Sequence, residues 1–171
     1  MLLGIDNLIL SQFENLRNTK VGLCANISSC DRRLRPTVKI FEEQKSLKLS
    51  AVFAPEHGLF GALQDQEKSR DFHDPLKKIV IHSLYGKRLF PTFKTLSGLD
   101  IVVIDLQDIG TRYYTFVWTA ILLIKQMAKL GKPVLVLDRP NPLNGNVIEG
   151  PVLEKRFSHW LVFIQYQYAM A

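Results

Sequence analysis

Two kinds of hydrophobic pattern alternate along the chain. Short, nearly continuous apolar runs occupy residues 20–26, 49–54, 79–82, 100–105 and 133–138. Each is too short for a buried helix, which predicts buried strands, and the run 100–105 is the clearest because it is β-branched and nearly continuous. Between them, apolar residues recur every three or four positions. Ile5, Leu8, Ile9, Phe13 and Leu16 predict an amphipathic helix over 5–16, and further helices are expected over 37–47 and 115–130. Pro36 suits the first turn of the second helix, and Gly131 suits the position just past the end of the third. Pro55 stops the second strand, while Pro140 and Pro142 stop the last. Continuous apolar strands separated by helices predict a doubly wound, mostly parallel α/β sheet with helices on both faces and right-handed crossovers.

The last stretch breaks this pattern. Residues 157–171 contain no charge, glycine or proline, yet Phe157, Trp160, Phe163, Tyr166 and Tyr168 crowd together. Such an apolar ending reads as surface that expects a partner, either a protein or a further domain beginning near residue 157. The alternative is a terminal element docked on the core.

Composition narrows the function classes. With 171 residues, 47% hydrophobic and 22% charged, the chain has the size and balance of a single globular domain. The net charge of +6 leans toward anionic partners. Its clusters, Arg32-Arg33 with Arg35 and Lys77-Lys78, lack the interleaved aromatics of a nucleic-acid surface, so no nucleic-acid partner is expected. Cys24 and Cys30 have neither the spacing nor the histidine neighbours of a zinc site, and Cys24 is expected as a buried thiol. Asp6 and Asn7 interrupt the N-terminal apolar residues before a signal-peptide core forms, and no run is long enough to span a bilayer. As it stands, the chain reads as soluble and not exported.

Ligands of open parallel sheets bind at the carboxyl ends of the strands. Here those ends lead into Asn26-Ile27-Ser28-Ser29, Pro55-Glu56-His57-Gly58, His82-Ser83-Leu84-Tyr85-Gly86, the stretch from Asp105 to Tyr114, and Asp138-Arg139-Pro140-Asn141-Pro142. This density of polar and small residues on one edge is the main sign of a site. No dinucleotide-binding glycine fingerprint and no phosphate-binding loop are present, so no nucleotide cofactor is expected. The nucleophile elbow of hydrolases is also missing. His57 with Glu56 and Asp108 could ligate a metal, but their spacing is unspecific and no metal is assigned. What remains is a set of acids (Glu56, Asp105, Asp108, Asp138, Glu149) among arginines and tyrosines. Paired carboxylates in such surroundings suit glycosidic bond cleavage, although a lone Asp at a strand end is often only a cap.

At these loops the chain resembles a known family. The stretches are Phe53-Ala54-Pro55-Glu56-His57-Gly58-Leu59-Phe60-Gly61, then Ser83-Leu84-Tyr85-Gly86, then the run from Asp105 to Thr115. The last is Leu137-Asp138-Arg139-Pro140-Asn141-Pro142 with Gly145 and Glu149-Gly150-Pro151. In this order, over residues 4–156, they are similar to the NamZ/YbbC-like exo-β-N-acetylmuramidases of bacterial peptidoglycan recycling. The resemblance implies a Rossmann-like N-terminal domain and a smaller second domain beyond it. It also implies release of terminal N-acetylmuramic acid from the non-reducing end of peptidoglycan fragments, without a cofactor, in proteins that are commonly exported. Glu56 is then the expected proton donor, its partner carboxylate being Asp108, Asp138 or Glu149. Arg112 and Arg139 are candidates for gripping the lactyl carboxylate of muramic acid, or else for bracing the loops against nearby acids. Tyr113 could border a sugar ring. Asn26, Tyr85, Gln107 and Asn141 complete the expected sugar-binding set, with His57 serving either the site or its loop. A non-catalytic domain that binds muropeptides or other sugars is the alternative.

Overall fold

The computed structural model describes residues 2–64, 71–73, 79–85, 88–143, 145–152, 154 and 156. Lys77-Lys78, Gly86 and the aromatic stretch 157–171, with the domain boundary expected there, lie outside the described residues. The expected strands form as β1 (Lys20–Ala25), β2 (Lys48–Ala54), β4 (Val80–Ser83), β5 (Ile101–Asp105) and β6 (Val134–Val136). A two-residue strand, β3 (Phe72–His73), joins them, and the sheet order is β3-β4-β2-β1-β5-β6. All neighbouring pairs are parallel except β3 with β4. The chain therefore starts in the middle of the sheet, builds outward through β2 and β4, then returns to build the other side through β5 and β6. This is the doubly wound, Rossmann-like arrangement, with its direction change between β1 and β5.

Strand alternation sorts the core onto two faces. Val21, Leu23 and Ala25 of β1 meet Ile5 and Leu8 of α1 (Gly4–Leu10) and Ile40 and Phe41 of α2 (Thr37–Glu43). Cys24, from the same strand, faces Leu96 of α3 (Phe93–Ser97) and Leu123 and Met127 of α4 (Thr115–Lys129). Full burial pushes the Cys24 thiol far above its ordinary pKa, with the nearby Asp105 charge adding to it, so it is an inert core group. Gly22 is required by this packing, because a Cβ there would lie 2.6 Å from Leu99 and 2.8 Å from Phe53.

Two predicted helices are shorter than their patterns. The segment expected as one helix over 5–16 ends as α1 at Leu10. Gln12 and Phe13 then take left-handed backbone (φ 52° and 55°) before a 3-10 turn at Glu14–Leu16. Left-handed backbone costs roughly 1–2 kcal/mol per residue. The reversal swings the Phe13 ring into the core, edge-on to Phe41 at 5.3 Å, and such burial returns roughly 1.5–3 kcal/mol. The helix expected over 37–47 stops at Glu43, because Gln44 is extended and leads the chain into β2. Among the described residues, no helix is long and apolar enough to cross a membrane.

Candidate active site

The parallel sheet places the ends of β1, β2, β4, β5 and β6 on one edge. After β2 the chain turns sharply: His57 has φ 67° and Gly58 φ 74°, and the His57 ring is tied through Nδ1 to the Leu63 carbonyl at 3.0 Å. A left-handed histidine held by its own loop is strained backbone of the kind that collects at functional sites. The turn drives Glu56 inward until it is 5% exposed.

What receives Glu56 is the start of α4. The hydroxyl of Thr115, the first residue of that helix, donates to Glu56 Oε2 at 2.8 Å. Oε1 is buried and has no hydrogen-bond partner. Glu56 lines a crevice of about 20 Å³ together with Leu84, Tyr85, Leu89, Thr115, Trp118, Thr119 and Leu122. That volume admits about one water molecule or one methyl-sized group. A buried polar atom without a partner costs roughly 1–3 kcal/mol, and native structures keep few of them. The Thr115 hydroxyl donates to Oε2 and leaves Oε1 without a donor.

The walls of the crevice come from two places. The Leu84 amide donates to the Ala54 carbonyl at 2.8 Å, extending the β2–β4 pairing and setting Leu84 and Tyr85 beside Glu56. The Ser83 hydroxyl bridges the amide and carbonyl of Tyr85, which fixes this turn. From α4, residues 115, 118, 119 and 122 form one stripe along the helix. Trp118 Nε1 donates to the Arg112 carbonyl at 2.8 Å, which ties the loop after β5 to the same helix. Thr115 and Trp118 were absent from the sequence-predicted site, although Thr115 closes the third signature and Trp118 follows it by three residues, on the same helix face.

At the direction change between β1 and β5 the chain fills the usual ligand crevice with its own side chains. Asp105 is fully buried and receives Arg139 in a bidentate pair, Nε to Oδ1 at 2.6 Å and Nη2 to Oδ2 at 3.0 Å. The Thr37 hydroxyl donates to Oδ2 at 2.5 Å, Arg139 Nη2 also reaches the Cys30 carbonyl at 2.8 Å, and the Ser29 hydroxyl bonds the Asp105 carbonyl. Arg139 is therefore committed to bracing, the second of the two roles its position allowed. Asn26 is similarly engaged: its Oδ1 accepts from the Ser28 amide and hydroxyl and from the Ser29 hydroxyl, shaping the turn that ends β1.

The loops after β5 and β6 are stitched together. Gln107 Nε2 donates to the carbonyls of Asp108 and Pro140, at 2.6 and 2.9 Å. Asn141 Oδ1 accepts from the Leu143 amide, and Gly110 (φ 76°) lies so close that a Cβ would meet the Asn141 amide at 2.6 Å. Asp108 is half-buried, accepting from the Ile109 amide through Oδ1. Burial, reinforced by the Asp108 charge, raises the Tyr114 phenol above its ordinary pKa. Arg112 is half-buried and Tyr113 is 67% exposed.

The predicted residues therefore fall into groups. Glu56 and Tyr85 share the crevice, with the Arg112 backbone bonded to its wall. Gln107, Asp108 and Asn141 belong to the neighbouring loop pair. Asp138 is exposed, and its carbonyl accepts from the Gly4 amide at the start of α1. It follows β6, three strand spacings of about 4.8 Å from β2. Glu149 is exposed within an exposed stretch, 145–152. Among the described residues, no three His, Cys, Asp or Glu side chains converge as metal ligands would.

The family model described as "Exo-beta-N-acetylmuramidase NamZ, N-terminal" matches residues 21–171. The chain belongs to the NamZ N-terminal family. It is 37% identical over 158 residues to the peptidoglycan beta-N-acetylmuramidase NamZ of Bacillus subtilis (strain 168), a match covering 92% of this chain and 38% of that protein. Two crystal structures of DUF1343 family proteins from Bacteroides fragilis NCTC 9343 share the fold, with TM-scores of 0.88 and 0.77 at 33% and 25% identity. Each match covers 98% of this chain and 42% of the structure. The chain thus spans less than half the length of these NamZ and DUF1343 relatives. The expected resemblance and its Rossmann-like fold are both confirmed.

Proposed function

We propose that this chain forms the sugar-binding and acid-bearing part of an exo-β-N-acetylmuramidase, acting on terminal N-acetylmuramic acid at the non-reducing end of peptidoglycan fragments. The activity is carried over from the Bacillus subtilis relative, a peptidoglycan beta-N-acetylmuramidase. The observation that carries the reading is Glu56, a buried carboxyl with one oxygen satisfied by Thr115 and the other unpartnered beside a crevice.

Glu56 is the proton donor. Oε1 delivers its proton to the glycosidic oxygen as the bond to the anomeric carbon breaks, and the leaving sugar keeps the electron pair. A second carboxylate then acts from the opposite face, as nucleophile or as base for water. Sheet geometry favours Asp108 for this role over Asp138. The end of β5 lies two strand spacings from β2, about 10 Å, and the end of β6 about 14 Å. The productive separations are about 5–5.5 Å for retention and 6.5–9.5 Å for inversion. Because Arg139 is tied to Asp105, Arg112 is the better candidate for the lactyl carboxylate, with exposed Tyr113 bordering the ring.

Incubation with the disaccharide of N-acetylmuramic acid and N-acetylglucosamine, followed by mass spectrometry, tests the reading. Release of free N-acetylmuramic acid supports it. The second reading, a domain that binds such sugars without cleaving them, is favoured by one observation: among the described residues, Glu56 is the one carboxylate that lines the crevice. Calorimetric binding with no product would select it, and neither binding nor product would reject both.

A further inference from the structure

We propose that the crevice beside Glu56 is a subsite for the methyl group of a 2-acetamido substituent, making it the feature that selects N-acetylated sugars. The inference rests on the muramyl reading above and deepens it. The Thr115 hydroxyl is spent on Glu56 Oε2, the Thr119 hydroxyl on the Thr115 carbonyl at 3.3 Å, and the Trp118 indole N–H on the Arg112 carbonyl. The polar groups of this wall are therefore bonded within the fold, and what α4 offers the crevice is the Trp118 ring and the Leu122 side chain. Leu84, Tyr85 and Leu89 supply the rest of the lining. The one buried acceptor among these residues without a partner is Glu56 Oε1.

An occupant must match both features, a small apolar end for the leucine and tryptophan walls and a polar hydrogen that Oε1 accepts through a lone pair while its own proton is directed to the glycosidic oxygen. A water molecule fills the volume but leaves its other hydrogen-bonding capacity against apolar walls. An acetamido group supplies a methyl and an N–H in one rigid plane. In a 2-acetamido sugar the amide nitrogen and the glycosidic oxygen are carried by neighbouring ring carbons. Seating the methyl in the crevice therefore brings the scissile oxygen to the same carboxyl that donates the proton. The crevice would act as a positioning subsite as well as a selective one. Its size of about 20 Å³ accepts a methyl and resists a longer acyl chain.

Calorimetric titration with three muramic acid derivatives, N-formyl, N-acetyl and N-propionyl, tests the subsite. One methyl in a fitted apolar pocket is worth about tenfold or more in discrimination. The N-acetyl compound is expected to bind about tenfold tighter than the N-formyl compound, and the N-propionyl compound to lose that gain. In Leu122→Phe, which crowds the crevice, the acetyl preference over formyl should vanish while formyl binding stays within about threefold. A flat series, a rise continuing to propionyl, or an acetyl preference that persists in Leu122→Phe overturns the subsite and leaves muramyl binding intact. Failure of all three compounds to bind overturns the functional reading and the subsite with it.

Discussion

Thr115 and Glu56, 59 positions apart in the chain, meet through a single 2.8 Å hydrogen bond that joins the loop after β2 to the first turn of α4. The bond does two things. It supplies the donor that makes a buried carboxyl tolerable, and it decides which oxygen remains available. Thr115→Val keeps the shape and removes the donor. Urea denaturation should show a loss of about 1–3 kcal/mol, the usual penalty for stranding a buried polar group. A change below about 0.5 kcal/mol would mean that the pairing is incidental.

The Asp105–Arg139 pair makes a different demand. Both groups are almost wholly inaccessible, so removing one leaves the other charged and buried. Arg139→Met should cost about 3–5 kcal/mol in chemical denaturation. Adding Asp105→Leu should restore most of that loss, since an apolar pair of similar volume does not bear the desolvation cost. If the single variant unfolds no more easily than the parent, the pair is not what braces the β1–β5 junction.

This pair also marks a limit of reading chemistry from sequence. Position and residue type made Arg139 equally suited to gripping a carboxylate ligand or a carboxylate of its own chain, and only the placement of Asp105 at the end of the adjacent β5 decides between them. β1, β2 and β5 were legible because burial on both faces makes their sequences nearly uniform in hydrophobicity; β4 and β6 are only partly buried and showed as short apolar runs, not as the fully buried strands expected. β3 was not legible, because two residues at an edge carry no period. α3 was missed for a related reason: five residues make little more than one turn, and its stability comes from Leu96 in the core and the Thr92 hydroxyl capping Thr95. The 5–16 pattern overran because apolar spacing alone does not register the left-handed turn that buries Phe13. The position of Glu56 just after a strand was legible in the sequence, whereas its bond to Thr115 was a tertiary fact.

Asp31 gives the fold a defined acid response. Burial alone would raise its carboxyl, but the Arg35 amide and guanidinium and the Arg33 amide hold it below the ordinary value of 3.8. A carboxyl lowered by folding adds stability that is complete above its unfolded value and is lost as pH falls through the folded one. Stability should therefore decline below about pH 4 through this group. Asp31→Asn should show a shallower acid limb in thermal melts between pH 4 and pH 2. An unchanged limb would assign acid sensitivity to other carboxylates.

Tyr114 works in the opposite direction. Its phenol is raised by burial and then by Asp108, so its contribution is intact below its ordinary value of 10.0 and falls away as pH climbs through the raised one. Ultraviolet titration at alkaline pH, with Tyr114→Phe as the reference that isolates this phenol, should show its midpoint falling in Asp108→Asn. No movement would place Asp108 too far from the start of α4 to serve as the second carboxylate.

The central claim is that Glu56 donates the proton from Oε1. Glu56→Gln preserves the shape and an acceptor for Thr115 while removing the acid. Turnover of a chromogenic β-N-acetylmuramide should fall by about a thousandfold, the range expected for loss of a general acid, with the melting temperature nearly unchanged. Turnover within about tenfold of the parent would contradict the account.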